Sequence, residues 1–254
     1  MQEEDFSYLY QLEETFWWFS GMRAITAVLL DPFCEPAKDC LILDAGCGTG
    51  GNIDWLRRYA GKGKVIGLDL ESAALEFCRE RNHEFLIEGS TADLPFASDI
   101  FDLVTSFDVL VQLPREGHDG QALREIYRVL KPGGLAFVRV AAYEWMRSGH
   151  DKALGTQHRY KLSELSSMLE QTGFTVLRAT YANSLLLPIA AFRRLLLKRI
   201  GLAEGGSDVK PLPPKLERLN QVFKSALEFE ARLLKNSQVN LPFGLSAICI
   251  ARKP

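Results

Sequence analysis

The stretch LDAGCGTG, Leu43 to Gly50, carries a run of apolar residues into a glycine turn that continues to Gly51. It reads as a buried strand breaking into a turn that opens a helix. Gly46, Gly48 and Gly50 lack a Cβ, so the chain can turn tightly and a ligand can approach its backbone. The amides freed at a helix N-terminus favour a carboxylate or a phosphate. Gly46, Gly48 and Gly51 also satisfy the G-x-G-x-x-G spacing of dinucleotide sites, so the glycines alone leave two ligand classes open. Acids narrow the choice. Asp44, just before the turn, would repel a pyrophosphate and attract an α-ammonium group. Asp69, in VIGLDLE at 65–71, ends the next strand, where a ribose diol is held in either kind of site.

Three further motifs follow in order: TADLPF at 91–96, FDLVTSFDVLVQL at 101–113 and LREIYRVLKPGGLAFVRV at 123–140. With the first two they make the chain resemble the class I S-adenosylmethionine-dependent methyltransferases. The resemblance implies an α/β fold: a doubly wound, Rossmann-like, seven-stranded sheet with a C-terminal antiparallel hairpin. It also implies S-adenosyl-L-methionine as cofactor and S-adenosyl-L-homocysteine as product, with no metal. Asp44, Gly46, Cys47, Gly48 and Gly50 would hold the methionine end, and Asp69 and Leu70 the ribose side. The family usually places an acid after the glycine at position 89 to receive the adenine amino group, whereas this chain has Ser90. The adenine contact then falls to Ser90, Thr91, Ala92 and Asp93. Phe107 and Asp108, after the fourth strand, would border the methionine end.

Composition bounds the rest. The chain has 254 residues, 47% hydrophobic and 24% charged, enough for one large α/β domain with an added segment. A net charge of -2 and a pI near 6.1 give no electrostatic case for nucleic acid. Cys34, Cys40, Cys47, Cys78 and Cys249 form no C-x-x-C pair and suit a reducing cytoplasm. The start, MQEEDFSYLYQLEETFWWF, lacks the basic flank and apolar core of a signal peptide. No apolar run approaches the roughly 20 residues that span a bilayer.

Four segments are expected: a helical cap over 1–39, the cofactor-binding core over 40–184, a helical insertion over 185–243 and the last core strand over 244–254. In the cap, two helical segments split near Ser20 and Gly21. Phe16, Trp17, Trp18 and Phe19 are too dense for one helical face. They read either as core wedged against the domain or as a lid over the sulfonium or the acceptor. In the core, strands fall near 40–45, 64–69, 84–87, 101–106 and 134–141, with helices near 50–60, 71–81, 119–130 and 161–172. Crossovers of that length imply parallel strands with ligands beyond their carboxyl ends. LKPGG at 130–134 reads as a helix stop and turn.

After the fifth strand, residues 140–160 are dense in groups that titrate or donate. His150 and His158 are candidate bases. Phe16, Trp17, Trp18, Arg23, Tyr143, Arg159 and Tyr160 are candidates to shape the acceptor pocket. His150, Asp151 and His158 match no standard metal spacing. This stretch and the FWWF segment also resemble a bacterial subgroup of the family. FTVLRATYANS at 174–184 and GLSAICIARKP at 244–254 suit the terminal hairpin, separated by too long a connection for a turn.

The insertion opens with a basic amphipathic helix from Pro188, with Ile189, Phe192, Leu196 and Ile200 on one face and Arg193, Arg194 and Lys198 on another. Such a helix suits peripheral contact with an anionic membrane through 185–200, or packing on the domain. A proline-rich loop at 204–215 leads to a second helix near 215–235. The expected activity is methyl transfer to oxygen or nitrogen of a small-molecule, sugar or lipid-linked acceptor, in the cytoplasm or at the inner membrane face. A noncatalytic cofactor-binding scaffold and an NAD-type oxidoreductase are the competing readings.

Overall fold

In a computed structural model, residues 3–34, 39–114, 117–199 and 217–254 are described. Seven strands form one sheet in the order β3-β2-β1-β4-β5-β7-β6. They are β1 (Leu41–Ala45), β2 (Lys64–Asp69), β3 (Leu86–Glu88), β4 (Phe101–Phe107), β5 (Leu130–Ala141), β6 (Thr175–Ala182) and β7 (Ser246–Arg252). β1 to β5 run parallel, and β7 inserts antiparallel between β5 and β6. The expected seven-stranded sheet and terminal hairpin are therefore present.

Alternation along the strands feeds two cores, as a sheet covered on both faces requires. Leu43, Ala45, Val138 and Val140 face one side, against helices α5 (His118–Val129) and α7 (Leu162–Thr172). Ile42, Leu103, Phe137 and Ile250 face the other. That second side is covered by α2 (Trp17–Leu30), α3 (Ile53–Leu56), α4 (Ser72–Glu80) and α9 (Glu217–Leu234). The helix expected over 50–60 is a short one, α3, continued by a 3-10 turn at Arg57–Tyr59. LKPGG, expected as a turn, is already strand: Leu130 pairs with Phe101 before the register shifts.

The cap corrects a second expectation. Its break falls at Phe16, whose backbone is extended (φ -79°, ψ 132°), between α1 (Glu3–Thr15) and α2. Gly21 lies inside α2, where an added Cβ would sit 2.6 Å from the Cβ of Leu227 on α9. The glycine thus allows a close helix crossing instead of ending a helix. Asn220 on α9 accepts the Trp17 amide at 2.8 Å and donates to the Thr15 carbonyl at 3.1 Å, capping both helix ends at the break. Cap and insertion are consequently joined in one layer.

The insertion's first helix is α8 (Leu187–Arg199), with Pro188 in its first turn. The expected loop at 204–215 lies outside the described residues. A 3-10 turn at Glu144–Met146 and a short helix α6 (Gly149–Ala153) follow β5.

Candidate active site

The carboxyl ends of β1 to β5 share one edge of the sheet, and the glycine turn lies over it. Gly46 and Gly48 have φ of +88° and +56°, the left-handed region that side chains resist. A Cβ on Gly46 would also run into Val109. The turn is braced from below: Cys78 Sγ approaches the Gly48 carbonyl at 3.2 Å, His83 Nε2 meets the Gly50 carbonyl at 3.1 Å, and Cys47 packs against Cys78.

Asp44 is buried at the end of β1. Its Oδ1 accepts the Thr105 hydroxyl at 2.8 Å, and its Oδ2 is buried without a hydrogen-bond partner among the described residues. Burial pushes its carboxyl up to about 7. Asp69 accepts the Gly48 amide at 2.8 Å and the Glu71 amide at 3.1 Å, tying the second strand end to the turn. Leu70 beside it is 64% exposed, an apolar face open to a flat ligand. Ser90 is engaged locally, its hydroxyl accepting the Ala92 amide at 3.1 Å. Thr91 and Ala92 are buried, and Asp93 is exposed. An orphaned carboxylate oxygen beside Cβ-free backbone suits the ammonium of a methionine moiety. The residues present therefore fit S-adenosylmethionine.

At the ends of β4 and β5, where Phe107 and Asp108 were expected to border the methionine end, Phe107 and Arg139 are partners in the strand register. Asp108 follows with φ +59°, and its carboxylate Oδ2 accepts a hydrogen bond from Arg139 Nε at 2.9 Å and forms an ion pair with Nη2 at 2.7 Å. Tyr143, after β5, is likewise left-handed (φ +61°) and stacks on Trp145 and Tyr181. Non-glycine residues in this region at two neighbouring strand ends are strained, as functional rims often are. Trp18 lies over the Arg139 guanidinium at 4.7 Å, and Arg23 donates to Asn52 and to the Glu13 carbonyl.

Other expected site residues do not join this group. Phe16 is buried at the helix break, and Trp17 packs on Phe223 of α9. His158 is buried, with Nε2 2.9 Å from Glu164 and Nδ1 3.5 Å from Glu144, so both ring nitrogens face carboxylates. Arg159 is paired with buried Asp151 at 2.7 Å and donates to the Ala142 carbonyl. Tyr160 is buried, its hydroxyl donating to the Leu110 carbonyl or the Asp119 carboxylate. These three hold the loop after β5 in place. The side chain of His150 lies outside the described residues. Among the described residues no group of His, Cys, Asp or Glu is placed to hold a metal ion.

Two groups were not anticipated from sequence. Glu13 on α1 is buried against the turn, accepting the Thr49 hydroxyl at 2.7 Å and Arg81 Nη2 at 3.1 Å, and burial raises its pKa. Arg81 also donates to the Thr49 and Tyr10 carbonyls, so it straps α1 onto the turn. An added Cβ on Gly51 would meet Glu13, which places a carboxyl where a dinucleotide pyrophosphate would need room. Arg139 is the second. A charged residue inside the apolar run AFVRVAA was its one sequence signal.

Comparison with known proteins agrees with this geometry. Residues 43–138 match the family model described as a methyltransferase domain. A probable S-adenosylmethionine-dependent methyltransferase of Mycolicibacterium smegmatis is 34% identical over 138 residues, 53% of this chain and 52% of that protein. A fatty-acid O-methyltransferase of the same organism is 36% identical over 122 residues, 44% of this chain and 43% of that protein. The chain thus spans about half the length of the curated relatives it matches. A SAM-dependent methyltransferase structure from Thermotoga maritima shares the fold with a TM-score of 0.60 at 16% identity, covering 99% of this chain and 97% of that one. Residues 43–138 are thus similar to a methyltransferase domain, and the sheet order and glycine turn agree with that likeness.

Proposed function

We propose that the protein transfers a methyl group from S-adenosylmethionine to oxygen or nitrogen of a small-molecule or lipid-linked acceptor. The observation that carries this reading is the buried, unpartnered Oδ2 of Asp44 beside the glycine turn, with Asp69 at the next strand end. When bound, the cofactor supplies an electrophilic methyl group on sulfur. Asp44 offers its free oxygen to the α-ammonium, Asp69 its remaining lone pairs to the ribose diol, and exposed Leu70 an apolar face to adenine. Trp18 and Phe107 wall the acceptor side and exclude water, so alignment supplies much of the rate. His158 is committed to Glu144 and Glu164, and no general base is assigned.

The relative named as a fatty-acid O-methyltransferase supports an apolar acceptor. So does α8, which we propose rests on an anionic bilayer surface. Ile189 and Phe192 are 56% and 70% exposed on it, and LPIAAFRRLLLKR carries basic residues and no acid. Arg194 Nη1 donates to the Met146 carbonyl at 2.7 Å, so the helix adjoins the loop after β5.

Calorimetric titration with S-adenosylhomocysteine tests the cofactor. Wild type should bind, and Asp69→Ala should weaken binding by about tenfold or more, because it removes a charged acceptor and the brace on Gly48. No binding by folded wild type would reject the assignment.

A further inference from the structure

Helix α9 is more apolar than the fold requires. Its inner face, with Leu227, Ala231 and Leu234 buried, packs on the second core and closes on Gly21 of α2. On the flank beside that face a second apolar stripe meets solvent. Leu219, Val222, Phe229 and Leu233 are 40%, 58%, 50% and 40% exposed, with Ala226 half-buried between them. Their intervals are three, four, three and four residues, the spacing that sets the seam of one helix against another. A helix covering a core on one side needs only its inner face apolar, and a solvated flank would carry polar residues.

Charge separates this stripe from the exposed face of α8. The sequence of α8 has basic residues and no acid, whereas that of α9 mixes acids and bases in equal number, and its Lys224 and Glu228 already pair at 3.9 Å. An anionic surface therefore has little hold on α9. The order of the side chains points to a second copy of the chain instead. The stripe reads Leu-Val-Ala-Phe-Leu and is nearly symmetrical about Ala226. A two-fold axis there sets Leu219 of one copy against Leu233 of the other and Val222 against Phe229, small against large, while the two alanines let the helices come close. Four side chains at about half exposure offer on the order of 400 Å² per copy, so the pair falls below the roughly 1,200 Å² of stable interfaces and in the range of weak, reversible ones.

We infer that α9 is a dimerisation helix, through which two copies of the chain pair antiparallel along Leu219, Val222, Ala226, Phe229 and Leu233 about a two-fold axis at Ala226. The inference is independent of the methyltransferase reading. Arg218 of one copy then comes beside Arg232 of the other, both exposed, a like-charge contact that salt screens.

Sedimentation equilibrium of the full chain from about 0.1 to about 100 µM tests this. Wild type should pass from monomer to dimer with a dissociation constant on the order of 10 µM, tightened by added salt. Ala226→Glu, which sets two carboxylates at the axis, should weaken the dimer by about a hundredfold. Should that variant not fold, Val222→Glu, at the more exposed position, decides in its place. Phe192→Ser on α8 should leave the dimer unchanged. Orientation is read from a charge swap. Leu219→Lys and Leu233→Glu should each weaken association by about tenfold or more, and the double variant should recover it, because each lysine then faces a glutamate of the other copy. In a parallel pair like charges would meet, and the double variant would be the weakest. The inference is overturned by a wild type that stays monomeric up to about 100 µM, by a dimer indifferent to glutamate at 222 and 226, by a dimer lost in Phe192→Ser, or by a double variant no better than its parents.

Discussion

Burial makes the negative charge of Asp44 costly, whereas an α-ammonium group placed beside it would favour that charge. Burial raises its carboxyl to about 7, against about 3.9 for an unfolded aspartate. A folded-state pKa above the unfolded one gives stability that is full below the unfolded value and is lost as pH rises through the folded value. The free protein should therefore lose stability between about pH 4 and pH 7, on the order of 4 kcal/mol from this group. Asp44→Asn should be the more stable protein at pH 8 in denaturant titrations. Binding runs the other way. The ionised carboxylate attracts the α-ammonium, so affinity for S-adenosylhomocysteine should rise from pH 6 to pH 8 in wild type and stay flat and weaker in Asp44→Asn. A pH-independent affinity in wild type would place the ammonium elsewhere. Asp44, Asp69 and the glycines were legible because strand, turn and acid are neighbours in sequence. Glu13 and Arg139 were not, since Glu13 meets Thr49 from 36 residues away and Asp108 meets Arg139 across 31.

At the scale of elements, the strands were legible from their apolar runs, and the cap boundary was not. Ser20 and Gly21 look locally like a helix stop. The structure runs a helix through them and breaks it at Phe16, because Asn220 caps that break from 203 residues away and Leu227 occupies the space above Gly21. Sequence periodicity carries no information about either partner. Intrinsic propensity alone would make Gly21→Ala stabilising by about 1 kcal/mol. The crossing predicts the opposite sign, since the new methyl must displace Leu227 or spread α2 from α9, at about 1–3 kcal/mol for overpacking. Urea unfolding of Gly21→Ala, Leu227→Ala and the double variant measures this. The double variant should be less destabilised than the sum of the two single ones, a coupling that independent sites would not give. Simple additivity would mean that α2 and α9 do not meet here. In the loop after β5, His158, Arg159 and Tyr160 have polar tips suited to chemistry, and the fold pairs them with Glu144, Glu164, Asp151 and the Leu110 carbonyl, partners that local sequence does not announce.

Over the whole molecule, charge and apolar surface are unevenly distributed. The chain carries a net charge of -2, yet the helix LPIAAFRRLLLKR has basic residues and no acid. Leu185, Ile189 and Phe192 are exposed at helical spacing around it, where a solvated face would place polar side chains. No described helix is long and apolar enough to cross a bilayer, so contact would be with its surface. Burying the Phe192 ring in the acyl boundary is worth about 1.5–3 kcal/mol, and each basic residue near an anionic surface about 1 kcal/mol. The protein should therefore sediment with phosphatidylglycerol vesicles and not with phosphatidylcholine vesicles, and added salt should release it. Phe192→Ser should weaken vesicle binding by about tenfold or more while leaving affinity for S-adenosylhomocysteine unchanged, since Asp44 and Asp69 lie in another part of the molecule. Because Arg194 ties this helix to the Met146 carbonyl, contact with the surface would bring the loop after β5 close to it, and with it the acceptor side of the crevice. Equal indifference to both kinds of vesicle, together with a concentration-dependent increase in mass by analytical ultracentrifugation that Phe192→Ser abolishes, would assign the same face to a second copy of the chain and remove the membrane from this account.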